Sequence, residues 1–212
     1  FKDYAAQAFL PGSEGLIWYA RGRKTDINTK RQLSKLLSQL CDEVYTGAPP
    51  IANEIISGDN LTGIAVRARR ELVEAMATKS LQENLGLSGW GPEIAMYRSL
   101  ILKPGFHRFN PQTGHWRLTL ESNNESFQQL WHALDTATNE PKDLGATVED
   151  LLEVLNNPPF GLRQGPALLY IALYIMANSE DIAVFHQGLY LPYLSAADVA
   201  LLLKRPDLFT VK

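Results

Sequence analysis

The chain has 212 residues, of which 45% are hydrophobic, with 20 Lys and Arg against 23 Asp and Glu for a formal net charge of −3. That apolar share is enough for the core of one large domain or two small ones. The slightly negative balance excludes a global attraction to nucleic acid or to an anionic membrane surface, so any basic site must be local.

Residues 1–28 read as a lead-in. Tyr4, Phe9, Leu10 and Leu16-Ile17-Trp18-Tyr19 form an apolar start broken by Pro11-Gly12 and Gly15, and Arg21, Arg23 and Lys24 then turn it basic. The chain opens Phe1-Lys2-Asp3, without Met and without the charged start and apolar core of a signal peptide, so a piece of a longer cytoplasmic protein is expected. From an N-cap at Asn28 or Thr29 to Tyr45, the spacing of Leu33, Leu36, Leu37, Leu40, Cys41 and Val44 predicts a helix with one apolar stripe. Cys41, the single cysteine, then reads as a buried structural thiol in a reducing compartment and excludes an internal disulfide framework. Gly47-Ala48-Pro49-Pro50 ends the helix.

A short helix is expected over Pro50–Ile56, closed by Gly58, and a longer one from the cap Asp59-Asn60 to about Lys79 with Leu61, Ile64, Ala65, Ala68, Leu72 and Met76 inward. Arg67, Arg69 and Arg70 lie near its middle. As the third helix of a three-helix unit it would be the one to enter a major groove. The competing reading is a solvated face, with Arg70 and Glu74 at i,i+4 and Glu71 diluting the positive potential.

Pro92–Leu102 is the next predicted helix, with Pro92 suited to a first turn. Phe106–Phe109 and Trp116–Thr119 flank Asn110-Pro111-Gln112-Thr113-Gly114, which predicts a β-hairpin, the first candidate wing. On that hairpin His107 and His115 are expected to face one another as a surface pair, with no third ligand placed to make a metal site. A helix over 124–138 should turn Phe127, Leu130, Trp131 and Leu134 inward, and polar Asn139–Gly145 with Pro141 is the best internal boundary. Thr147-Val148-Glu149-Asp150 opens a helix to Leu155 in capping-box fashion. The run Pro166–Ala177 is well short of the ~20 residues of a membrane span and reads as a buried core helix. Residues 182–186 and 189–191 around Gln187-Gly188 predict a second hairpin, followed by a helix over Ser195–Lys204 and a strand at Leu208–Val211. The expected fold is mainly α with small β-hairpins, arranged as tandem winged-helix-like units over 29–138 and 139–212.

No catalytic signature stands out. The chain lacks Gly-x-x-x-x-Gly-Lys-Ser/Thr, Gly-x-Gly-x-x-Gly, His-Glu-x-x-His and Gly-x-Ser-x-Gly. Cys41 beside Asp42 has no histidine near it in the chain, and Glu71/Glu74 and Glu149/Asp150 sit at helix-surface spacings. Trp116 and Trp131 lie in apolar patterns that favour core anchoring over base stacking. Neither a catalytic residue, a metal nor a cofactor is therefore expected.

Cys41-Asp42-Glu43-Val44-Tyr45, Pro49-Pro50-Ile51-Ala52-Asn53-Glu54-Ile55-Ile56, Leu61, Ala65, Ala68-Arg69, Leu72, Met76, Leu85-Gly86 and Pro92-Glu93 carry a resemblance. They are similar to the helical region downstream of the nucleotide-binding domain in large bacterial P-loop ATPases of phage-defence gene clusters of the BREX and phosphorothioation type. Pro158–Gly165, Tyr190–Pro192 and Arg205-Pro206 to Phe209 resemble a later part of the same proteins. The resemblance covers most of residues 30–211 and implies a non-catalytic arm of a multidomain ATPase; the phosphate-binding motifs are absent here, so ATPase activity does not carry over. The expected role is a DNA-binding or assembly module that contacts DNA, or other domains and subunits of a larger complex, and no membrane. Phosphate contacts are assigned to Arg67, Arg69 and Arg70 and to the basic lead-in Arg21, Arg23, Lys24, Lys30 and Arg31. The alternative is a protein-interaction module in which the arginines only solvate the surface.

Overall fold

In a computed structural model, residues 17–58, 60–141 and 145–212 are described. They fall into one unit ending at Thr46 and another spanning Gly47–Lys212. The expectations for Tyr4, Phe9, Leu10, Pro11-Gly12, Gly15, Leu16 and the Asp59 cap lie outside the described residues.

In the first unit, part of the expected lead-in is a hairpin. β1 (Trp18–Ala20) pairs antiparallel with β2 (Arg23–Thr25), and Arg21 and Gly22 between them take φ of 53° and 72°. Two successive positive φ values match the twist of the strands they join. Helix α1 (Lys30–Val44) starts on a capping box, Thr29 accepting from the Gln32 amide while Gln32 reaches back to the Thr29 amide. Its apolar stripe is only partly covered. Leu33, Leu36 and Leu40 are half-buried, Leu37 and Val44 are exposed, and Cys41 is exposed, contrary to the buried thiol expected. The described part of this unit is one hairpin and one helix, too little apolar surface to enclose a helical face.

The second unit opens with a correction. Pro50–Ile56 is not a helix: Asn53 Oδ1 accepts the amides of Ile55 and Ile56, and Ser57 Oγ donates to the Asn53 carbonyl, so the side chain of Asn53 builds a turn instead. Helix α2 (Gly63–Lys79) is capped by Thr62, whose hydroxyl accepts from the Ala65 amide. It buries Ala65, Ala68, Arg69, Leu72, Val73, Ala75 and Met76 but leaves Ile64 exposed. Helix α3 (Pro92–Met96) runs into a wider π turn over Tyr97–Leu102. β3 (His107–Asn110) and β4 (His115–Leu118) form the expected hairpin.

Helix α4 (Glu125–Asn139), capped by Asn124, turns Phe127, Leu130, Trp131 and Leu134 into the core. Phe106, Phe127, Trp131 and Tyr170 pack there, mostly edge to face, at ring distances of 4.9–6.3 Å. β5 (Ala146–Thr147) leads into α5 (Val148–Asn156), which opens on the expected Thr147/Asp150 capping box. Helix α6 (Gln164–Ala177) is buried without interruption from Gly165 to Ile175. β6 (Val184–His186), β7 (Leu189–Leu191), α7 (Ala196–Leu202) and β8 (Phe209–Val211) complete the chain. The last four strands form an antiparallel sheet in the order β5-β8-β6-β7, so the strand expected at the end of the chain lies inside the sheet.

A helix apolar on every side must be surrounded. α2, α4, α5 and β4 all pack on α6, drawing on both of the units expected over 29–138 and 139–212. Residues on both sides of the boundary expected at 139–145 share one core, and the division falls at residue 46 instead. The described fold is mainly helical with small antiparallel sheets, and none of its helices is long and apolar enough to cross a membrane.

Candidate interaction surfaces

The three arginines of α2 do not form a common basic face. Arg67 and Arg70 are exposed, yet each is paired one turn along the helix: Arg67 Nε to Glu71 Oε1 at 2.7 Å and Arg70 Nε to Glu74 Oε1 at 3.4 Å. The Glu71 hydrogen bond and charge hold the Arg67 guanidinium above its ordinary pKa, and the adjacent carboxylate offsets its charge. Arg69 is not at the surface at all. Its side chain is 6% exposed, Nη1 donates to the Gly165 carbonyl at 3.4 Å, Nε has no partner, and burial lowers its pKa. This removes Arg69 from the expected phosphate-contacting set. The signal was present in the spacing, since position 69 lies four residues after Ala65 and three before Leu72, on the face that packs.

The basic residues of the first unit are differently placed. Arg21 is paired with Glu43, whose hydrogen bond and charge raise its pKa. Arg23 and Lys24 on β2 and Lys30 and Arg31 in the first turn of α1 are all exposed. No ion pair joins these four to a carboxylate among the described residues. The first turn of α1 holds no acidic residue, so two cations stand at the positive end of the helix dipole. Asp26 is the one carboxylate between residues 17 and 31.

Where His107 and His115 were expected to face one another, the register pairs His107 with Leu118 and His115 with Asn110. His115 is exposed. His107 is 1% exposed; its Nε2–H donates to the Ser80 carbonyl at 2.8 Å, which leaves Nδ1 to accept from the Tyr97 hydroxyl at 2.9 Å. Its ring lies 4.9 Å from that of Trp116. Burial lowers the His107 pKa and pushes the Tyr97 phenol up to about 12. This is a pin between the β3–β4 hairpin, the end of α2 and the π turn. Among the described residues no three of His, Cys, Asp and Glu gather as metal ligands.

Two hollows stand out among the described residues of the second unit. One, of about 810 Å³, lies over the loops around Pro104 and Ser122. Its polar groups serve local structure: Arg108 binds the Gly105 carbonyl at 2.6 Å and the Glu121 carboxylate at 2.9 Å, and Asn124 caps α4. The other, of about 630 Å³, is a groove at the C-terminal ends of α2 and α6, with β4 on one side and the β6–β7 hairpin on another. Leu118, Ile175 and Met176 contribute apolar surface to it, while Tyr190 and Tyr193 on its rim are 59% and 76% exposed. Sequence reading found both hairpins but not the space between them, because residues near 80, 118 and 190 meet only through tertiary packing. No protein family, curated protein or solved structure matches this chain.

Proposed function

We propose that the chain is a non-catalytic assembly module of a larger bacterial phage-defence ATPase, binding protein rather than DNA through its second unit. One observation carries the choice. In the order α5, α6, β6–β7, a helix-turn-helix pair followed by a hairpin, α6 is the helix that would enter a major groove, and it is buried from Gly165 to Ile175. This order supports a winged-helix-like ancestry for the second half of the unit; the insertion of β8 between β5 and β6 is its departure. The neutralised Arg67 and Arg70 weaken the case for α2 as a substitute. Exposed aromatic residues of the same unit, Trp90, Phe109, Tyr190 and Tyr193, are side chains favoured at protein interfaces. Native mass spectrometry of the tagged chain recovered from its own cells after nuclease treatment tests this. A protein partner in fixed stoichiometry, lost in a Tyr190→Ala, Tyr193→Ala double variant, is expected; a complex that needs nucleic acid refutes it.

A second reading rests on the exposed Arg23, Lys24, Lys30 and Arg31. Four phosphate contacts would give a slope of log K against log salt of about −3.6. Fluorescence anisotropy with a short duplex measures it, and an unchanged slope after Ala replacement of the four removes that reading.

A further inference from the structure

We infer that the groove between the two hairpins of the second unit takes a cationic, apolar protein segment, one that places Lys or Arg beside aliphatic side chains. The inference rests on the assembly reading and adds the chemistry of the partner. Leu118, Ile175 and Met176 line the groove, and the half-buried Met176 supplies a thioether that adapts to different aliphatic partners. Leu81, also lining it, is 62% exposed, so the apolar surface continues out of the groove.

Among the described residues, the charge on the rim that has no ion-pair partner is negative. α6 ends here at Ala177 with no basic residue in its last turn, although Lys, Arg or His commonly occupies that position against the negative end of the helix dipole. Glu180 and Asp181 follow at once, exposed, and no ion pair joins either to a cation among the described residues. The cation on the opposite side, Arg117, lies 3.5 Å from Glu121, which also binds Arg108 at 2.9 Å. A phosphate would meet two unpaired carboxylates and the carbonyl end of a helix, against one arginine already held by Glu121. A lysine or arginine would find those groups together with the faces of Tyr190 and Tyr193. At about 630 Å³ the groove holds a few side chains rather than a domain, which suits a single strand or helix of a partner.

The test uses the full chain and two synthetic amphipathic peptides of about 14 residues, long enough for marginal helicity. Both have the same Leu spacing; one carries Lys and the other Glu at every polar position. In amide NMR titrations the Lys peptide should shift resonances at Leu118, Ile175–Ile182 and Tyr190–Tyr193, and bind about tenfold more tightly than the Glu peptide. A Glu180→Lys, Asp181→Lys double variant, altered only at exposed positions, should reverse the order. Equal affinity for both peptides, no binding of either, shifts confined elsewhere, or a concentration-dependent dimer occupying the groove would each overturn the inference. Reversal of peptide preference with no partner in native mass spectrometry would remove the assembly reading alone. A partner retained by the double variant, with no peptide preference, would remove the groove alone.

Discussion

His107→Phe is the most direct test of how the second unit is held together. Phe keeps a ring beside Trp116 but breaks both polar contacts, leaving the hydroxyl of Tyr97, which is fully buried, and the Ser80 carbonyl without their partners. An unsatisfied buried group costs about 1–3 kcal/mol, and the half-buried Ser80 recovers part of its share from water, so the expected loss is about 2–4 kcal/mol. The same residue sets a pH dependence. Burial lowers the His107 pKa from its ordinary 6.5. As the pH falls through 6.5 the unfolded chain therefore takes up a proton that the folded chain still refuses, and stability drops. The slope is about 1.4 kcal/mol per pH unit between 6.5 and the depressed folded value, and it vanishes above 6.5 and below that value. Urea denaturation followed by tryptophan fluorescence, from about pH 5 to pH 8, measures both effects. The wild-type curve should fall more steeply below pH 6.5 than that of His107→Phe. Parallel curves, or a loss under about 1 kcal/mol at neutral pH, would refute the buried pin.

Gly165→Ala should destabilise the second unit by about 1–3 kcal/mol in the same assay, because a Cβ there would lie 2.4 Å from the Ile56 carbonyl oxygen, a backbone atom unable to swing away. Arg69→Met should be at least as stable as wild type, since it removes a buried charge that has no carboxylate partner among the described residues, whereas Arg69→Ala should lose about 2 kcal/mol to the cavity left behind. Arg67→Ala and Arg70→Ala should each fall within about 0.5 kcal/mol of wild type by thermal denaturation, their ion pairs being exposed. Cys41 should react with a thiol reagent in the native chain as fast as under denaturing conditions, and protection would return it to the interior.

What the sequence made legible was decided locally. The caps at Thr29 and Thr147 satisfy orphan amides within three residues of themselves, and Gln187-Gly188 adopts the two positive φ values its hairpin needs. The apolar stripe of α4 needed only its own periodicity. What was not legible depends on distant chain. β5 pairs with a strand 65 positions later, Ala146 opposite Val211, and nothing near Ala146 announces it. The apparent helix at Pro50–Ile56 was lost to one side chain, Asn53, which offers the backbone a competing set of hydrogen bonds. The basic surface was misread in one place for a related reason. Residue type suggested solvent for Arg69, while its position relative to Ala65 and Leu72 put it inside, and position prevailed.

The burial of α6 bears on the candidate surface as well as on the fold. Because α2, α4, α5 and β4 all pack on this one helix, the β3–β4 and β6–β7 hairpins are carried by a single core and not by two hinged units. The groove between them is therefore set by packing that would have to break for it to widen. A preformed aperture spares a partner the ordering cost that a mobile loop would impose, so a modest groove can still bind selectively. It also ties recognition to the His107 pin, which fixes β3 to the π turn and, through the carbonyl of the groove-lining Ser80, to the end of α2. Substitutions at His107 should thus alter the affinity of the groove without touching it, whereas substitutions at Glu180 and Asp181 should change which charge it prefers and leave stability alone.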